Sequence, residues 1–258
     1  PALLELLNKA WRDADIPPSW RSAVVVPIKK PNKPATQFSS YRPIALTSCV
    51  GKLLERLVQR RLEHHLEYVG AFHENTCGFR KNRCTADAIA EIATLLEEGK
   101  ALSRTTGVVL LDISKAFDAV KHSAIIKALK QLGVWGRPLK YVRAYLSGRT
   151  AQVRSSGLLS TSRTIGQGVP QGGVLSPLLF NVALAALPQA IGIGTKGVIQ
   201  PGIAIYADDI AIWVTGRGWN REAIKTVLQR AVTNTEFYLT RLGLTLSAAK
   251  SVVLCRRA

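Results

Sequence analysis

The sequence predicts an α+β fold on three observations. Strand-like and helix-like segments interleave along the chain. The apolar run Gly107-Val108-Val109-Leu110-Leu111 ends on Asp112. Two further apolar runs, Gly202-Ile203-Ala204-Ile205 and Ile210-Ala211-Ile212-Trp213-Val214, enclose Tyr206-Ala207-Asp208-Asp209. Taken in order, residues 3–12 read as a helix. Residues 20–28, with Ala23-Val24-Val25-Val26, read as a strand, because β-branched side chains fit a pleated, half-buried surface. A loop rich in Pro, Lys and Ser runs from there to Tyr41. After Gly51, the residues Leu54, Val58, Leu62, Leu66 and Val69 recur at helical spacing with Arg and Glu between them, the stripe of an amphipathic helix turned to the core. The basic loop Gly78-Phe79-Arg80-Lys81-Asn82-Arg83 leads to a helix over residues 85–98. Residues 107–111 form a short continuous apolar run, the mark of a buried strand with a carboxylate at its tip. Helices follow over 123–132 and 138–146, two strands flank Gly157, and a Gly-rich turn opens a helix over 176–190. The runs on either side of Asp208-Asp209 are the arms of a hairpin, followed by a helix over 220–242 and a last strand over 251–254. The chain has no internal repeats.

Composition narrows the function. A chain of 258 residues, 47% of them hydrophobic, supports one large domain or two small ones, so it is not a disordered segment. Thirty-five Lys and Arg against 17 Asp and Glu give a net charge of +18, which points to a polyanion: nucleic acid or, less directly, an anionic membrane surface. No apolar run approaches the ~20 residues of a membrane span, and the membrane is set aside as a partner. From Ala119 to Ala207 the chain holds no Asp or Glu and ten Lys and Arg, bounded by Asp118 and Asp208. Such a tract suits a phosphate-tracking surface beside a metal centre, with general surface basicity as the plainer reading. Cys49, Cys77, Cys84 and Cys255 have no Cys-x-x-Cys spacing and no secretory signal precedes them, so an intracellular protein without a disulfide framework is expected. His73, Cys77 and Cys84 fit no common zinc spacing, and His64 and His65 read as a surface or core-edge pair on a helix. A chain that starts at Pro1 and contains no Met is expected to be a module of a longer polypeptide.

On its own, Asp208-Asp209 reads as a solvated turn, since Asp is a favoured turn residue. If the strand ending in Asp112 packs in one sheet with this hairpin, three carboxylates meet from positions 96 residues apart. Cations must then neutralise them, and Mg²⁺ suits the role because it takes carboxylate and phosphate oxygens and keeps some water. Two such ions roughly 3.5–4 Å apart activate an attacking hydroxyl and stabilise a leaving phosphate in an in-line displacement, which is nucleotidyl transfer.

Here the chain resembles the reverse transcriptase domain of a non-LTR (LINE-type) retrotransposon over nearly its whole length. Trp20-Arg21-Ser22-Ala23-Val24-Val25-Val26-Pro27-Ile28 and Tyr41-Arg42-Pro43-Ile44-Ala45-Leu46-Thr47-Ser48 resemble the fingers motifs, and Gly78-Phe79-Arg80 the segment after them. Leu111-Asp112-Ile113-Ser114-Lys115-Ala116-Phe117-Asp118 is similar to motif A. Gly168-Val169-Pro170-Gln171-Gly172-Gly173-Val174-Leu175-Ser176-Pro177 is similar to motif B, and Tyr206-Ala207-Asp208-Asp209 to motif C. RNA-dependent RNA polymerases usually carry Gly-Asp-Asp at the hairpin, and retroviral-type enzymes more often Met or Val where Ala207 stands. Intron-encoded enzymes share the hairpin but lack the wording from Tyr41 to Ser48. Val182-Ala183-Leu184 and Ile212-Trp213 resemble arthropod elements of the I/Jockey group.

The resemblance implies roles residue by residue. Asp112 and Asp208 are the principal metal ligands, with Asp209 assisting and the main-chain carbonyl of Ile113 adding a ligand. Two Mg²⁺ ions are the expected cofactors, with Mn²⁺ a substitute. Phe117 matches the steric gate that selects deoxynucleotides, against ordinary core packing. Lys30 and Arg42 match the cations that grip the incoming triphosphate, with Lys29 and Lys33 as alternatives to Lys30; Arg suits phosphate because its guanidinium is a planar fork. Gln171 would lie against the nascent base pair, and Gly172 and Gly173 would admit template or nucleotide close to the backbone. Arg80, Lys81, Arg83 and Tyr206 are the further nucleic-acid residues expected. Lys250 resembles the motif D lysine that protonates the leaving pyrophosphate, against a solvated surface lysine. The implied fold is a right-hand polymerase, with fingers over 1–104 and 121–165, a palm over 105–120 and 166–258 built as an antiparallel sheet on helices, and a thumb absent or truncated. The expected partners are an RNA template, a DNA primer, dNTPs and the rest of a retrotransposon polyprotein in cis, including a thumb and an endonuclease, in cytoplasm and nucleus. The competing reading is an inactive, basic nucleic-acid-binding remnant of a decayed element.

Overall fold

A computed structural model of the chain describes residues 2–194, 199–217 and 221–256. In chain order its elements are α1 (Ala2–Asp13), α2 (Pro18–Arg21), β1 (Ser22–Lys29), β2 (Tyr41–Leu46), α3 (Cys49–Tyr68), α4 (Thr85–Ala101), β3 (Arg104–Ser114), α5 (Ala116–Ala119), α6 (His122–Gln131), α7 (Gly136–Leu146), β4 (Arg149–Ser155), β5 (Leu158–Leu159), β6 (Arg163–Ile165), α8 (Ser176–Leu184), α9 (Leu187–Ala190), β7 (Pro201–Tyr206), β8 (Asp209–Arg217), α10 (Arg221–Leu242), β9 (Thr245–Leu246) and β10 (Val252–Arg256). They fall into two units: Pro1–Val69 with Phe117–Phe180, and Gly70–Ala116 with Asn181–Ala258. These units are not coextensive with the fingers and palm bounds expected above, since 70–104 packs with Asp112 and 166–180 packs with the N-terminal residues.

The first unit is a sheet in the order β2-β1-β4-β5, with β6 also beside β4. β1 pairs antiparallel with β2 from Val24↔Leu46 to Lys29↔Tyr41, and parallel with β4 from Ser22↔Thr150 to Val25↔Val153. α3 buries Leu54, Val58, Leu62 and Leu66 as its spacing predicts. Val69 departs from that stripe because the helix has ended before it, and it is 44% exposed. Tyr141 and Tyr145 of α7 are fully buried, and the ring of Trp11 lies 5.9 Å from that of Tyr141. Trp20, expected in a strand, sits instead in α2, where Pro18 opens a short helical turn because its missing N–H costs nothing there.

The second unit is a sheet in the order β10-β3-β8-β7, with β9 pairing the far end of β3. β3 and β8 run antiparallel in unbroken register from Arg104↔Arg217 to Asp112↔Asp209. Strand parity separates two faces. Val108, Ala204, Ala211 and Trp213 form one apolar cluster under Ala88, Ile92, Leu95 and Leu96 of α4. Toward α10, a Cβ on Gly107 would come 3.1 Å from Leu228, so that helix approaches the same strand closely. The helix expected over 176–190 breaks after Leu184, as Pro188 lacks an N–H and its ring would meet the carbonyl of residue 184 in a continuous helix. The expected helix start at residue 220 lies outside the described residues; α10 is described from Arg221.

Candidate active site

The register of the sheet puts Asp112 and Asp209 opposite each other, and both continue the face of Val108, Leu110, Ala211 and Trp213. Tyr206↔Asp209 closes the β7–β8 hairpin around a two-residue loop, Ala207-Asp208. Ala207 has φ 56°, the left-handed backbone that the first central residue of such hairpin loops needs for the strand twist to match. The Ile113 amide donates to the Asp208 carbonyl at 3.2 Å, so the turn is tied to the strand that carries Asp112. Thus Asp112 and the distant pair Asp208-Asp209 share one end of one sheet.

Lys250 reaches the same place by a backbone route. The Ser247 amide donates to the Asp112 carbonyl at 2.8 Å, and the Lys250 amide to the Ser247 carbonyl at 3.1 Å, closing a turn. From that turn Lys250 Nζ donates to Asp112 Oδ1 at 3.0 Å and Oδ2 at 2.9 Å. The ammonium comes from solvent, its side chain 64% exposed, onto a carboxylate only 19% exposed. Partial burial, followed by the charges of Asp208 and Asp112, raises the pKa of Asp209 above the ordinary carboxylate value, while Lys250 pulls it down. Asp112, Asp209, Tyr206 and Lys250 line a cavity of about 390 Å³ whose other walls are apolar, with Ala88, Ile89 and Ile92 of α4 among them.

Hard carboxylate oxygens that repel one another are a donor set suited to a divalent cation. Among the described residues no three His, Cys, Asp or Glu side chains converge closely enough to cage an ion. The expected triad is therefore assembled in the backbone, while the Asp112 carboxylate is turned to Lys250.

A loop before α4 supports the hairpin. Ile205 donates to the Asn75 carbonyl at 2.9 Å, and Cys77 donates to the Ile205 carbonyl at 2.8 Å, so residues 75–77 extend the sheet beyond β7. Arg80, expected on nucleic acid, uses its guanidinium on the carbonyls of His73 (2.9 Å) and Thr76 (3.0 Å) and lies over the Phe72 ring. Lys81 and Arg83 are exposed.

The remaining expected residues lie in the first unit. Lys30 Nζ donates to the Ser39 carbonyl at 2.9 Å; Lys29 and Lys33 are exposed, as is Arg42 opposite Ile28. Phe117 is half-buried and stacks on Phe180 at 4.9 Å between centroids. Gln171 Nε2 donates to both oxygens of Asp118, at 3.1 and 3.2 Å, and its carbonyl accepts from the Ala45 amide at 2.7 Å. Gly172, at φ +125°, would put a Cβ 2.6 Å from the Ala45 carbonyl. A Cβ on the buried Gly173 would strike the Tyr145 hydroxyl and come 2.7 Å from Ser176 Oγ. The chain's own packing therefore demands glycine at both positions, with no need of a nucleic acid to explain it.

Three polar residues that hold these motifs escaped the sequence reading. Glu55, only 4% exposed, accepts from the Val174 amide at 2.7 Å and the Leu175 amide at 3.2 Å, and burial raises its pKa. Its signal was present: Gly51, Glu55, Val58 and Leu62 fall on one helical face. His122 shares a 2.7 Å hydrogen bond with the Gly168 carbonyl, and Asn181 donates to the Gly78 carbonyl at 2.7 Å; no local spacing announces either.

The sequence model of the family described as "Reverse transcriptase (RNA-dependent DNA polymerase)" matches residues 28–257. The chain is 30% identical, over 97% of its length, to the probable RNA-directed DNA polymerase from transposon BS of Drosophila melanogaster, covering 27% of that protein. It is 30% identical over 81% of its length to the RNA-directed DNA polymerase from mobile element jockey of Drosophila funebris, covering 23% of it. It thus spans about a quarter of the length of these relatives. Among solved structures, apo telomerase from Candida tropicalis, truncated from its C-terminal domain, matches with a TM-score of 0.69 at 13% identity, over 100% of this chain and 56% of that one. At that identity the likeness concerns the fold, a polymerase fingers and palm. Enzymes of the matched family use divalent metal ions, as the carboxylate set here would require.

Proposed function

The chain belongs to the reverse transcriptase family, and from that premise we propose that it is the fingers-and-palm part of an RNA-directed DNA polymerase of a non-LTR retrotransposon. The reaction joins a dNTP to the 3′-hydroxyl of a DNA primer on an RNA template: the hydroxyl oxygen bonds to the α-phosphorus, its proton leaves, and pyrophosphate departs. The observation that carries this reading is the register pair Asp112↔Asp209, with Asp208 on the intervening turn and Lys250 in contact with Asp112.

Asp112, Asp208 and Asp209, with the Ile113 carbonyl, would hold two Mg²⁺ ions, or Mn²⁺ in their place. The chemistry such ions would supply at these residues is acidification of the attacking hydroxyl and neutralisation of charge on the phosphates. The contact of Lys250 with Asp112 supports reading Lys250 as the proton donor to pyrophosphate. Lys30 and Arg42 take the triphosphate and Phe117 the sugar edge. Gln171, Gly172, Gly173 and Tyr206 attend the base pair and strand. Lys81 and Arg83 keep exposed charge for the nucleic-acid backbone, with Arg80 supporting their loop. A thumb and an endonuclease elsewhere in the same polyprotein complete the assignment, and work in cytoplasm and nucleus follows from it. An inactive remnant gains no support, since the sequence retains Asp112, Asp208, Asp209 and Lys250.

The test is primer extension by the complete parent polypeptide. DNA-primed synthesis on an RNA template should require Mg²⁺ or Mn²⁺ and vanish in Asp208→Asn. Equal extension by the two proteins would remove the assignment.

A further inference from the structure

Gly78 is the point at which the loop before α4 touches the catalytic hairpin. Its φ lies outside the left-handed region, so backbone freedom does not explain the glycine. Space does: a Cβ there would collide with the Ala207 amide nitrogen and come 3.1 Å from the Tyr206 carbonyl carbon and 3.2 Å from Tyr206 Cα. The loop is held in that position from three directions. The amides of Cys77 and Gly78 both point at the Ile205 carbonyl, at 2.8 and 3.4 Å. The Gly78 carbonyl accepts from Asn181, a residue 1% exposed whose Oδ1 has no hydrogen-bond partner. Arg80 ties off the upstream carbonyls of His73 and Thr76. Two non-glycine residues at this contact, Phe79 and Ala207, carry left-handed φ of 56°, a conformation that persists only where the surroundings enforce it.

Resting on the polymerase reading above, we propose that Gly78 and Asn181 are positioning residues: together they press the loop onto Ala207 and so fix the turn that carries Asp208 and Asp209. Neither touches the carboxylates. Gly78 acts through the closeness of approach that its missing side chain permits, and Asn181 by holding the Gly78 carbonyl. The β3–β8 ladder does not depend on either residue, so a methyl at position 78 shifts the turn and leaves the sheet in place.

The experiment compares Gly78→Ala, Asn181→Ala and the double variant Gly78→Ala with Ala207→Gly, each in the complete polypeptide. Hydrogen exchange is followed for the amides of residues 205–210 and, as a control, for β3 and β8. The single variants should exchange faster at the hairpin alone. They should lose kcat by about 100-fold, the scale for an active-site group displaced by an ångström, with KM for dNTP near wild type. Ala207→Gly should restore much of the loss in the Gly78→Ala background, because a glycine turn adopts left-handed φ freely and can shift away from the methyl. Hairpin exchange unchanged in Gly78→Ala, or a loss that follows global stability and is not rescued by Ala207→Gly, would overturn the proposal. The exchange readout is independent of polymerisation, so an inactive wild type would count against the polymerase reading and leave the hairpin measurement to decide this one.

Discussion

Lys250 and Asp112 set up two opposed expectations at a single side chain. As a cation held on the carboxylate it lowers the repulsion felt by Asp209, and as a cation beside the carboxylates proposed to hold metal it would oppose the arrival of another positive charge. Lys250→Met should therefore bind Mn²⁺ more tightly in a spectroscopic titration while turning over more slowly, by about 10²–10⁴-fold if it supplies the proton to pyrophosphate. Unchanged Mn²⁺ binding together with unchanged turnover would make it a surface lysine. Phe117 invites a similar separation. Its ring stacks on Phe180, a pairing worth about 0.5–1.5 kcal/mol. Phe117→Ala should lose that stability and, if the ring also faces the sugar, should accept ribonucleotides more readily relative to deoxyribonucleotides in single-nucleotide extension. Unchanged selectivity in a folded variant would leave it as a packing residue.

Between elements, a buried carboxylate from α3 holds the Gly-rich turn ahead of α8. Glu55→Ala should destabilise the fold by about 1–3 kcal/mol for each buried amide it orphans, here those of Val174 and Leu175. The pH dependence has a definite sign. Burial raises the Glu55 pKa above that of an ordinary glutamate, so its contribution to stability is complete below the ordinary value and declines as pH rises through the raised, folded value. Glu55→Gln, an isosteric acceptor without the charge, should flatten that decline in thermal melts across the mildly acidic range. This contact also marks how far the sequence could be read. Elements with a clean period were legible: the α3 stripe, the apolar run into Asp112 and the hairpin all form where spacing places them. Tyr41–Leu46, with Pro43 inside it, gave no strand signal, and its strand forms because β1 lies alongside. The candidate site divides in the same way. The carboxylates were readable from motif and topology. The loop at Gly78 and the Asn181 side chain meet as partners distant in sequence, which no local pattern encodes, whereas for Glu55 the helical face shows its burial but not the amides it receives.

For the molecule as a whole, net charge is a property of the sequence, but its division between the units is a property of the fold. The first unit holds 20 Lys and Arg against 7 Asp and Glu, a net charge of +13; the second holds 15 against 10, a net charge of +5. Asp112, Asp208 and Asp209 belong to the less basic unit, which carries 5 of the 18 net positive charges. In a counterion-release picture each phosphate contact contributes about 0.7–0.9 to the slope of log affinity against log salt. Neutralising the exposed Lys121, Lys127 and Lys140 of the first unit should therefore weaken binding to an RNA–DNA hybrid and flatten that slope if they lie on its path. Neutralising Lys100 and Lys225, exposed on α4 and α10, should change it less. Fluorescence anisotropy over a salt series measures both. Equal slopes for the two sets would mean that the excess charge of the first unit keeps the protein soluble and does not follow the strand.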